Sequence, residues 1–410
     1  MNYCYLFINI FALRNFMECL LPIRGPLEGV TVVDLSRVLA GPYCSLLLLE
    51  LGARVIKVES PQGDDAREYG PFLNGKSAYF NSYNRGKESI ALDLKEQRDI
   101  EILHGLLSSA DVLLENFRPG VMEKLGLSWE AVHARHPKLI YASISGFGQT
   151  GPLSQFPAYD MVVQGMSGLM SITGEAGRQP VRVGVSIGDI AAGMYTAVAV
   201  NAALYHRGAS GKGARIDVAM FDCQVALMDS PIVRCAATGE LPGPLGSRHP
   251  NISPFEAYAT ADAPLIIAAG NNRLFEKLAC VLGLPELVLD PRFVSNEQRA
   301  VNVAELAGIL EERLTKHSRG FWMEVLDRAE IPHAPINNVK DLLGNEQVHA
   351  RNMLVTLEDE QCGTVTATGN PMKFPEFADP AIRRGAPRHD EHRNKLLSEM
   401  IVSGASISST

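Results

Sequence analysis

Short apolar segments rich in β-branched residues alternate with helix-length segments through the first third of this chain. Two of the intervening segments, GPYCSLLLLELG (41–52) and EQRDIEILHGLLSSA (96–110), have the apolar spacing of helices. Alternation of this kind builds parallel sheets with right-handed crossovers, so the sequence predicts an α/β fold with a large parallel-sheet domain. The segments that predict its buried strands are VTVVDLS (30–36), ARVIKVES (53–60), SIALDL (89–94), DVLLENF (111–117) and LIYASISGFG (139–148).

The later part of the chain changes in composition and predicts a second, smaller α/β domain. A stretch rich in Gly, Pro and Ser (238–255) has the character of a long loop or linker. After it come a strand-like segment (263–270) and helical segments around 272–283 and 302–329. At 410 residues the chain is long enough for two domains. The predicted divisions are 1–23, an extra N-terminal segment; 24–225, the large domain; 226–335, the linker and small domain; and 336–410, a C-terminal part that returns to the large domain.

The first 24 residues are apolar but are interrupted by Arg14, Asn15 and Glu18. A signal peptide and a membrane span both fit this stretch poorly, since a span needs about 20 uninterrupted apolar residues. An anchor lying in a membrane interface is the alternative. The cysteines number seven and form no CxxC pair, which argues against a disulfide framework or zinc site and favours a reducing cytoplasm.

Charge and motif content exclude several classes of function. The net charge is −8 and no basic cluster occurs, so nucleic acid is not an expected partner. Neither GxGxxG nor GxxxxGK[ST] follows any predicted strand, so a dinucleotide site or phosphate-binding P-loop is not indicated. His133 and His136 have no third ligand nearby in the sequence, which favours a solvated helix face over a metal site.

Two aspartates stand at predicted helix starts. Asp189, in VGVSIGDIAAGMY (183–195), opens an alanine-rich helix predicted over 189–207, and Asp160 precedes another helix. From the pattern alone a helix cap is the favoured role, because an aspartate at that position accepts backbone N–H groups. A covalent nucleophile is the alternative for Asp189. Arg248 and His249, in a loop, are candidates for orienting an anionic substrate or are ordinary loop residues.

Taken together, these segments resemble the class III CoA-transferases. The resemblance runs from about residue 26 into the C-terminal part of the chain and follows the family order. The blocks that carry it are PLEGVTVVDLSRVLAGPYCSLLLLELGARVIKVESP (26–61), NRGKESIALDLK (84–95), ADVLLENFRPGVMEKLGL (110–127), YASISGFGQTGP (141–152), AYDMVVQGMSGLMSITG (158–174) and VGVSIGDIAAGMY (183–195).

This resemblance implies a Rossmann-like large domain, an interlocked homodimer and a covalent mechanism. Asp189 falls on the family's catalytic aspartate, which attacks an acyl-CoA thioester to give a mixed anhydride and then an aspartyl-CoA thioester. CoA and acyl-CoA are therefore substrates, and no permanently bound cofactor is expected. Two other functions remain as alternatives: a 2-methylacyl-CoA racemase or epimerase, and a non-catalytic acyl-CoA-binding protein.

The resemblance also assigns residues to the substrates. Asp160 matches a family carboxylate near the active site. Lys95, Arg118 and Lys124 form a cationic set suited to the phosphates of CoA. The full set of CoA contacts implied by position is Leu39, Ala40, Leu92, Asp93, Leu94, Lys95, Asn116, Phe117, Arg118 and Lys124.

Departures from the family pattern bear on specificity. Formyl-CoA:oxalate transferases have glutamine, arginine and lysine where this chain has Leu39, Ser60 and Pro157, and they carry a glycine run that is absent here. Racemases have a histidine where this chain has Tyr159, which weakens the racemase interpretation.

Two segments, GSRHPNISPFEAY (246–258) and IIAAGNNRLFEKLA (266–279), resemble succinyl-CoA:glutarate-type members. They imply succinyl-CoA or a similar donor and a dicarboxylate acceptor, with Arg248 or His249 binding its distal carboxylate.

Overall fold

The computed structural model describes residues 23–402. The N-terminal segment singled out above therefore lies outside the described residues, except for Ile23. The described chain forms two compact units, the first comprising 23–169, 182–233 and 346–402 and the second comprising 170–181 and 234–345. Residues 170–181, placed in the large domain by the sequence argument, group with the second unit. The amide of Gly246 donates to the carbonyl oxygen of Gly174 at 2.8 Å and links this segment to that unit.

The first unit is built on a six-stranded parallel sheet. Its strand order is β3-β2-β1-β4-β5-β6, the order of a doubly wound dinucleotide-binding fold. Such a sheet is covered on both faces, which explains why the strands β1 to β5 are buried along most of their length. The predicted α/β class with a parallel sheet is thus confirmed. The strands are β1 (Thr31–Asp34), β2 (Arg54–Glu59), β3 (Glu88–Ala91), β4 (Val112–Glu115), β5 (Ile140–Ser145) and β6 (Arg215–Ala219).

Helices cover this sheet, and two of them are packed unusually close. A Cβ atom added at Gly193 would lie only 2.8 Å from the carbonyl oxygen of Ala40, so the backbones of α7 and α1 nearly touch. The alanine and glycine content of α7 follows from this contact. The helices are α1 (Ala40–Glu50), α2 (Ala78–Asn84), α3 (Gln97–Leu107), α4 (Val121–Lys124), α5 (Trp129–Arg135), α6 (Asp160–Met166), α7 (Ile187–Ser210), α8 (Met220–Leu227) and α9 (Asp229–Thr238).

Helix α7 is also the one helix within residues 23–402 that is long and apolar enough to cross a membrane by length and composition. Its side chains at Ala191, Ala192 and Thr196 are buried inside the protein. That burial is typical of the core helix of a soluble protein.

The second unit is a small antiparallel sheet covered by helices. The sheet order is β9-β8-β7, and the core contains Phe275, Leu278, Leu310 and Trp322. The elements are β7 (Phe255–Tyr258), β8 (Leu265–Ala268), α10 (Asn272–Val281), α11 (Asn296–Val301), α12 (Val303–Leu314), α13 (Arg319–Arg328), β9 (His333–Pro335) and α14 (Val339–Leu343).

Residues 346–402 belong to the first unit, whereas 336–345, which the sequence argument placed in the same C-terminal part, group with the second unit. Glu50, at the end of α1, accepts hydrogen bonds from Arg85 at 3.0 Å and from Arg383 at 3.2 Å, and all three are buried. Leu396 and Met400 join the core beneath α3. The elements are α15 (Glu346–Ala350), β10 (Leu354–Asp359), β11 (Gly363–Thr368), β12 (Ile382–Arg384) and α16 (Arg393–Val402). A two-residue hairpin (Phe72–Leu73 with Lys76–Ser77) and 3₁₀ turns at Asp65–Glu68, Leu169–Ile172 and Pro285–Val288 complete the chain.

A buried ion network lies under the loop between β1 and α1. Lys87 Nζ contacts Asp34 Oδ2 at 3.2 Å, and Lys57 Nζ contacts Asp64 Oδ2 at 2.8 Å. Lys57 also donates to the carbonyl oxygen of Ser36 at 2.8 Å. All four charged side chains are essentially excluded from solvent. The loop between β1 and α1 is therefore fixed by buried ion pairs and by the hydrogen bond from Lys57, none of which is exposed to water.

The protonation of this network reflects both burial and pairing. Burial lowers the pKa of Lys87 to about 8, although Asp34 opposes the shift. Burial alone would raise the pKa of Asp34, but Lys87 and Lys57 bring it below its usual value. Asp34 thus stays ionised because its lysine partners stay beside it.

We expect Lys87→Met to lower the free energy of unfolding by about 3–5 kcal/mol, because it leaves the Asp34 charge buried with one partner fewer. The double variant Asp34→Asn/Lys87→Met removes both charges and is expected to recover part of that loss. Chemical denaturation followed by circular dichroism measures both. Equal stability of the single and double variants would contradict the expectation.

Candidate active site

The segment that leads into α7 is held by side chains of α6. Asp160 Oδ1 accepts the amide of Gly188 at 2.8 Å, and Asp160 Oδ2 accepts Gln164 Nε2 at 2.8 Å. Gln164 Oε1 in turn accepts the amide of Val183 at 2.9 Å. Asp160, at the start of α6, is thus a buried side chain that accepts a hydrogen bond from the backbone of α7. Together these bonds fix the backbone of residues 183–188. They thereby set the direction in which the Asp189 side chain projects from the backbone.

Asp189 lies in the first turn of α7, and Ser186 occupies the N-cap position. The helix-cap role that the pattern favoured for Asp189 is therefore wrong: the helix begins two residues earlier than the sequence indicated. Within residues 23–402 no hydrogen bond to the Asp189 carboxylate is found. The carboxylate is thus available for chemistry at the positive end of a 24-residue helix.

The environment of Asp189 favours its protonated form near neutrality. Burial, and then the negative charge of Asp160, raise its pKa from 3.8 to about 7. Asp189 and Asp160 therefore form a pair of neighbouring carboxyl groups with different surroundings. Asp160 accepts hydrogen bonds from a backbone amide and a side-chain amide, and Asp189 accepts none within residues 23–402. Such a separation of environments is typical of carboxyl groups that react.

Tyrosines of α2 lie beside this pair and were not identified from the sequence. Burial, together with the charge of Asp189, raises the pKa of Tyr79 and of Tyr83, so both phenols remain protonated at neutral pH. Their ring centroids are 5.0 Å apart, and Tyr43 of α1 lies 6.2 Å from Tyr83. The signal in the sequence was an i, i+4 pair in SAYFNSYN (77–84), which is equally typical of an ordinary helix face.

Two of the predicted CoA segments are joined at the carboxyl edge of the sheet. Asn116, after β4, accepts the amide of Arg37 at 2.8 Å and donates to its carbonyl oxygen at 2.9 Å. Next to Arg37, Val38 has a φ of 67°, a strained value for a β-branched residue. The Asp64 carboxylate accepts the Val38 amide at 3.1 Å and helps to hold it there. Leu39 and Ala40 follow, both buried, at the start of α1.

The remaining predicted CoA residues follow β3 and β4. Leu92 is buried, whereas Asp93, Leu94 and Phe117 are half-buried and Lys95, Arg118 and Lys124 are exposed. The side chains of these three cations form no ion pair within residues 23–402. Glu115, at the end of β4, accepts the amide of Phe117 at 2.8 Å, and burial raises the pKa of Glu115 to about 7. At this edge of the sheet, three exposed cations therefore lie near a backbone that hydrogen bonds hold in place. Cations of this kind suit the binding of phosphate groups.

Arg248 and His249 belong to the second unit. The amide of His249 donates to the carbonyl oxygen of Phe255 at 3.0 Å, and the amide of Asn251 donates to His249 Nδ1 at 3.1 Å. Both Arg248 and His249 are half-buried. These bonds shape the loop, and the role of both residues toward an acceptor stays a prediction.

The histidines weighed above as metal ligands have other partners. His136 Nε2 lies 3.1 Å from His104 Nδ1, and burial lowers the pKa of His136 to about 4. His133 stacks on Trp129. In the described part of the chain, no group of three or more His, Cys, Asp or Glu side chains could hold a metal ion.

A protein-family model matches most of the chain. The model described as CoA-transferase family III matches residues 27–393. The chain belongs to this family. The resemblance stated from the sequence blocks is thereby confirmed.

Curated relatives of this CoA-transferase carry matching names. The acetyl-CoA:oxalate CoA-transferase of Acetobacter aceti is 45% identical over 378 residues, covering 92% of this chain and 96% of the relative. The succinate–glutarate CoA-transferase of Agrobacterium fabrum is 39% identical, with the same coverage. The human succinyl-CoA:glutarate CoA-transferase is 36% identical over 92% of this chain and 86% of its own.

Solved structures agree with the fold of this CoA-transferase. A CAIB/BAIF family protein from Brucella suis has a TM-score of 0.80 at 39% identity, covering 92% of this chain and 99% of its own. A protein from Mycobacterium tuberculosis has a TM-score of 0.81 at 30% identity, covering 92% of this chain and all of its own.

The raised pKa of Asp189 makes a prediction about stability. Between about pH 4 and 7 the folded protein keeps this proton and the unfolded chain has lost it, so the contribution of Asp189 to stability falls as pH rises. We expect Asp189→Asn to unfold like the wild type near pH 4 and to be more stable by about 1–3 kcal/mol at pH 8. Urea unfolding at both pH values tests this. A variant that is less stable at pH 8 would contradict it.

Proposed function

We propose that the protein moves CoA from succinyl-CoA, or a similar acyl-CoA donor, to a dicarboxylic acid, with Asp189 as the covalent nucleophile. The observation that carries the proposal is the Asp189 carboxylate itself. It lacks a hydrogen-bond partner within residues 23–402, lies at a helix N-terminus, and is raised in basicity by burial and by Asp160. The family membership and the names of the relatives support the reaction class.

The first half of the proposed reaction loads the enzyme. A carboxylate oxygen of ionised Asp189 attacks the thioester carbonyl carbon, the C–S bond breaks, and CoA leaves as its thiolate. The product on the enzyme is a mixed anhydride. The thiolate then attacks the carbonyl carbon of Asp189, which releases the donor acid and leaves an aspartyl-CoA thioester.

The second half reverses these steps with the acceptor. Its carboxylate attacks the aspartyl-CoA thioester, forms a new anhydride and again releases the CoA thiolate. Attack of the thiolate on the acceptor's acyl carbon gives the new acyl-CoA and frees Asp189. The thioester bond energy is retained only if water is kept from both intermediates.

We assign the CoA moiety to the edge formed by the loops after β1, β3 and β4. Lys95, Arg118 and Lys124 supply the positive charge for its phosphates, and Leu39 and Ala40 border its path toward α7. Asp160 supports the nucleophile rather than the CoA, because both of its oxygens are engaged by Gly188 and Gln164.

Mass spectrometry tests the proposal. The protein is incubated with succinyl-CoA or acetyl-CoA and a panel that includes oxalate and glutarate. We expect a new acyl-CoA with the wild type and with Asp327→Ala, an exposed control, and none with Asp189→Ala. Trapping without acceptor should add at Asp189 the mass of CoA less one water, because the thioester replaces the carboxyl OH. Exchange of an α-proton with deuterated water, without transfer, would instead indicate a racemase, and binding without either reaction a non-catalytic protein.

The same proposal fixes a pH dependence. Asp189 attacks only when ionised, so kcat/KM for the acyl-CoA is expected to rise with pH through about 7 and then level off. Steady-state rates between pH 5.5 and 9 measure the profile. A profile already flat from pH 5.5 would contradict a rate-determining role for Asp189 ionisation.

We also propose that the protein is a homodimer with interlocked chains. Helix α7 carries an exposed apolar stripe at Met194, Val198 and Tyr205, with Tyr195 beside it; Val198 and Tyr205 are 69% and 86% exposed. An apolar stripe of this kind on a soluble protein marks a surface that another copy covers. Light scattering should give twice the chain mass of 44.6 kDa, and the double substitution Val198→Glu/Tyr205→Glu should disrupt assembly. A monomer in the wild type would refute the dimer.

We place the protein in the reducing cytoplasm. Cys44, Cys223, Cys235, Cys280 and Cys362 are free thiols in the described part of the chain. Burial raises the pKa of Cys44 and Cys223 above the usual range, which keeps them unreactive. The location itself stays a prediction.

A further inference from the structure

A buried glutamine lies behind the carboxylate pair. Gln164 is fully excluded from solvent, and both ends of its amide are used. Its Nε2 donates to Asp160 Oδ2 at 2.8 Å, and its Oε1 accepts the amide of Val183 at 2.9 Å. Asp160 continues the chain to the amide of Gly188 at 2.8 Å. Gln164 and Asp160 together thereby connect Val183 and Gly188, the two ends of the segment that precedes Asp189.

The space around this link is filled. A Cβ atom added at Gly188 would lie 3.0 Å from Asp160 Oδ1 and 2.2 Å from Gln224 Nε2. Gln224 is itself buried and is fixed by Ser167, whose hydroxyl donates to Gln224 Oε1 at 2.9 Å. Residues on α6 and α8 therefore confine the Gly188 backbone, and Asp160 cannot shift without moving the helix start.

An amide is the group that this position requires. Asp160 Oδ1 accepts the Gly188 amide, so the second carboxylate oxygen, which is also buried, needs a hydrogen-bond donor of its own. The Val183 amide needs an acceptor. A glutamine supplies one of each at the correct ends, whereas glutamate would supply two acceptors and leucine or methionine neither.

We propose that Gln164 is a positioning residue for the transfer reaction: its amide holds both the Asp160 carboxylate and the Val183 amide and thereby sets the direction and the electrostatic surroundings of Asp189. This inference rests on the proposed role of Asp189. The other titratable or charged groups near the pair are Tyr79 and Tyr83 on α2 and Arg182 in the segment before α7, and α8 presents the uncharged Gln224.

The first test is Gln164→Glu. The introduced carboxyl group retains the bond to Val183 and shares a proton with Asp160 at low and neutral pH, so one negative charge remains, as in the wild type. We expect kcat within about 5-fold of wild type at pH 6.5. At higher pH the shared proton is lost, and kcat should fall by more than 10-fold along an alkaline limb that the wild type lacks.

The second test is Gln164→Met, which removes both hydrogen bonds. Loss of the donor to Asp160 Oδ2 makes a negative charge beside Asp189 less favourable, so that charge opposes the ionisation of Asp189 less. We expect the acid limb of kcat/KM to move to lower pH by about one unit, and kcat to fall at least 10-fold. KM for the acyl-CoA should change less than 3-fold, since the CoA loops are not touched.

Two controls separate charge from general damage. The first control is Gln97→Glu. Gln97 also donates to a carboxylate one helical turn away, that of Glu101 at 3.2 Å, but on the exposed face of α3. This substitution should leave the pH profile of kcat unchanged. The swap Asp160→Asn/Gln164→Glu restores one amide and one carboxylate and should abolish the alkaline limb of the single Gln164→Glu variant.

The outcomes distinguish this inference from the proposed function. Full transfer by Asp189→Asn would refute the function and the inference together. An inactive Asp189→Asn, combined with Gln164 variants that lose activity equally at every pH, would refute the inference alone and leave Gln164 a structural residue. Thermal unfolding of each variant shows whether a loss of activity comes from a loss of fold; if Gln164→Glu does not fold, the shifted acid limb of Gln164→Met decides.

Discussion

The buried pairs Asp34–Lys87 and Lys57–Asp64 are the constraint on which the rest of the first unit depends. Charges excluded from water are tolerated only when each has a partner in good geometry. That demand fixes the end of β1, the end of β2 and the loop before α1 relative to one another. The loop can therefore hold a strained Val38 and bring two buried residues, Leu39 and Ala40, to the sheet edge where a ligand is expected.

The candidate site does not pair opposite charges but places two carboxyl groups in different surroundings. Asp160 accepts hydrogen bonds from neutral donors, and Asp189 accepts none within residues 23–402, so two neighbouring carboxyl groups have different surroundings although their chemistry is the same. A carboxyl group whose pKa lies near neutrality, as that of Asp189 does, is a stronger nucleophile once ionised than an ordinary aspartate and is still substantially ionised at neutral pH. The fold provides this difference with hydrogen bonds from only two elements, α6 and the segment before α7.

Much of this could be predicted from the sequence. The strands β1 to β5 could be predicted from apolar runs that lie between helix-length segments. Parallel strands are buried on both faces, so their sequences are apolar over several consecutive residues. The proposed roles of Asp189 and of the expected CoA segments followed from ordered family blocks. The pattern argument alone gave Asp189 the wrong role, since a helix start can differ by two residues from the residue that looks like a cap.

Other features could not be predicted, and the reasons are physical. The contact between Gln164 and Val183 joins residues 19 positions apart through side-chain geometry that no periodicity records. Tyr79 and Tyr83 have the spacing of any helix face. The grouping of 170–181 with the second unit depends on a backbone hydrogen bond to Gly246, far away in the chain, and residues 1–22 lie outside the described structure.

The close approach of α7 to α1 at Gly193 has a consequence for how such an enzyme can diversify. The helix that carries the proposed nucleophile in its first turn and the helix that follows the expected CoA loop share a contact too tight for a single methyl group. A substitution in either helix is therefore expected to disturb both the proposed donor site and the proposed nucleophile. New acceptor acids are therefore expected to arise through substitutions in loops outside this helix pair, which leaves the reaction constant while the substrate changes.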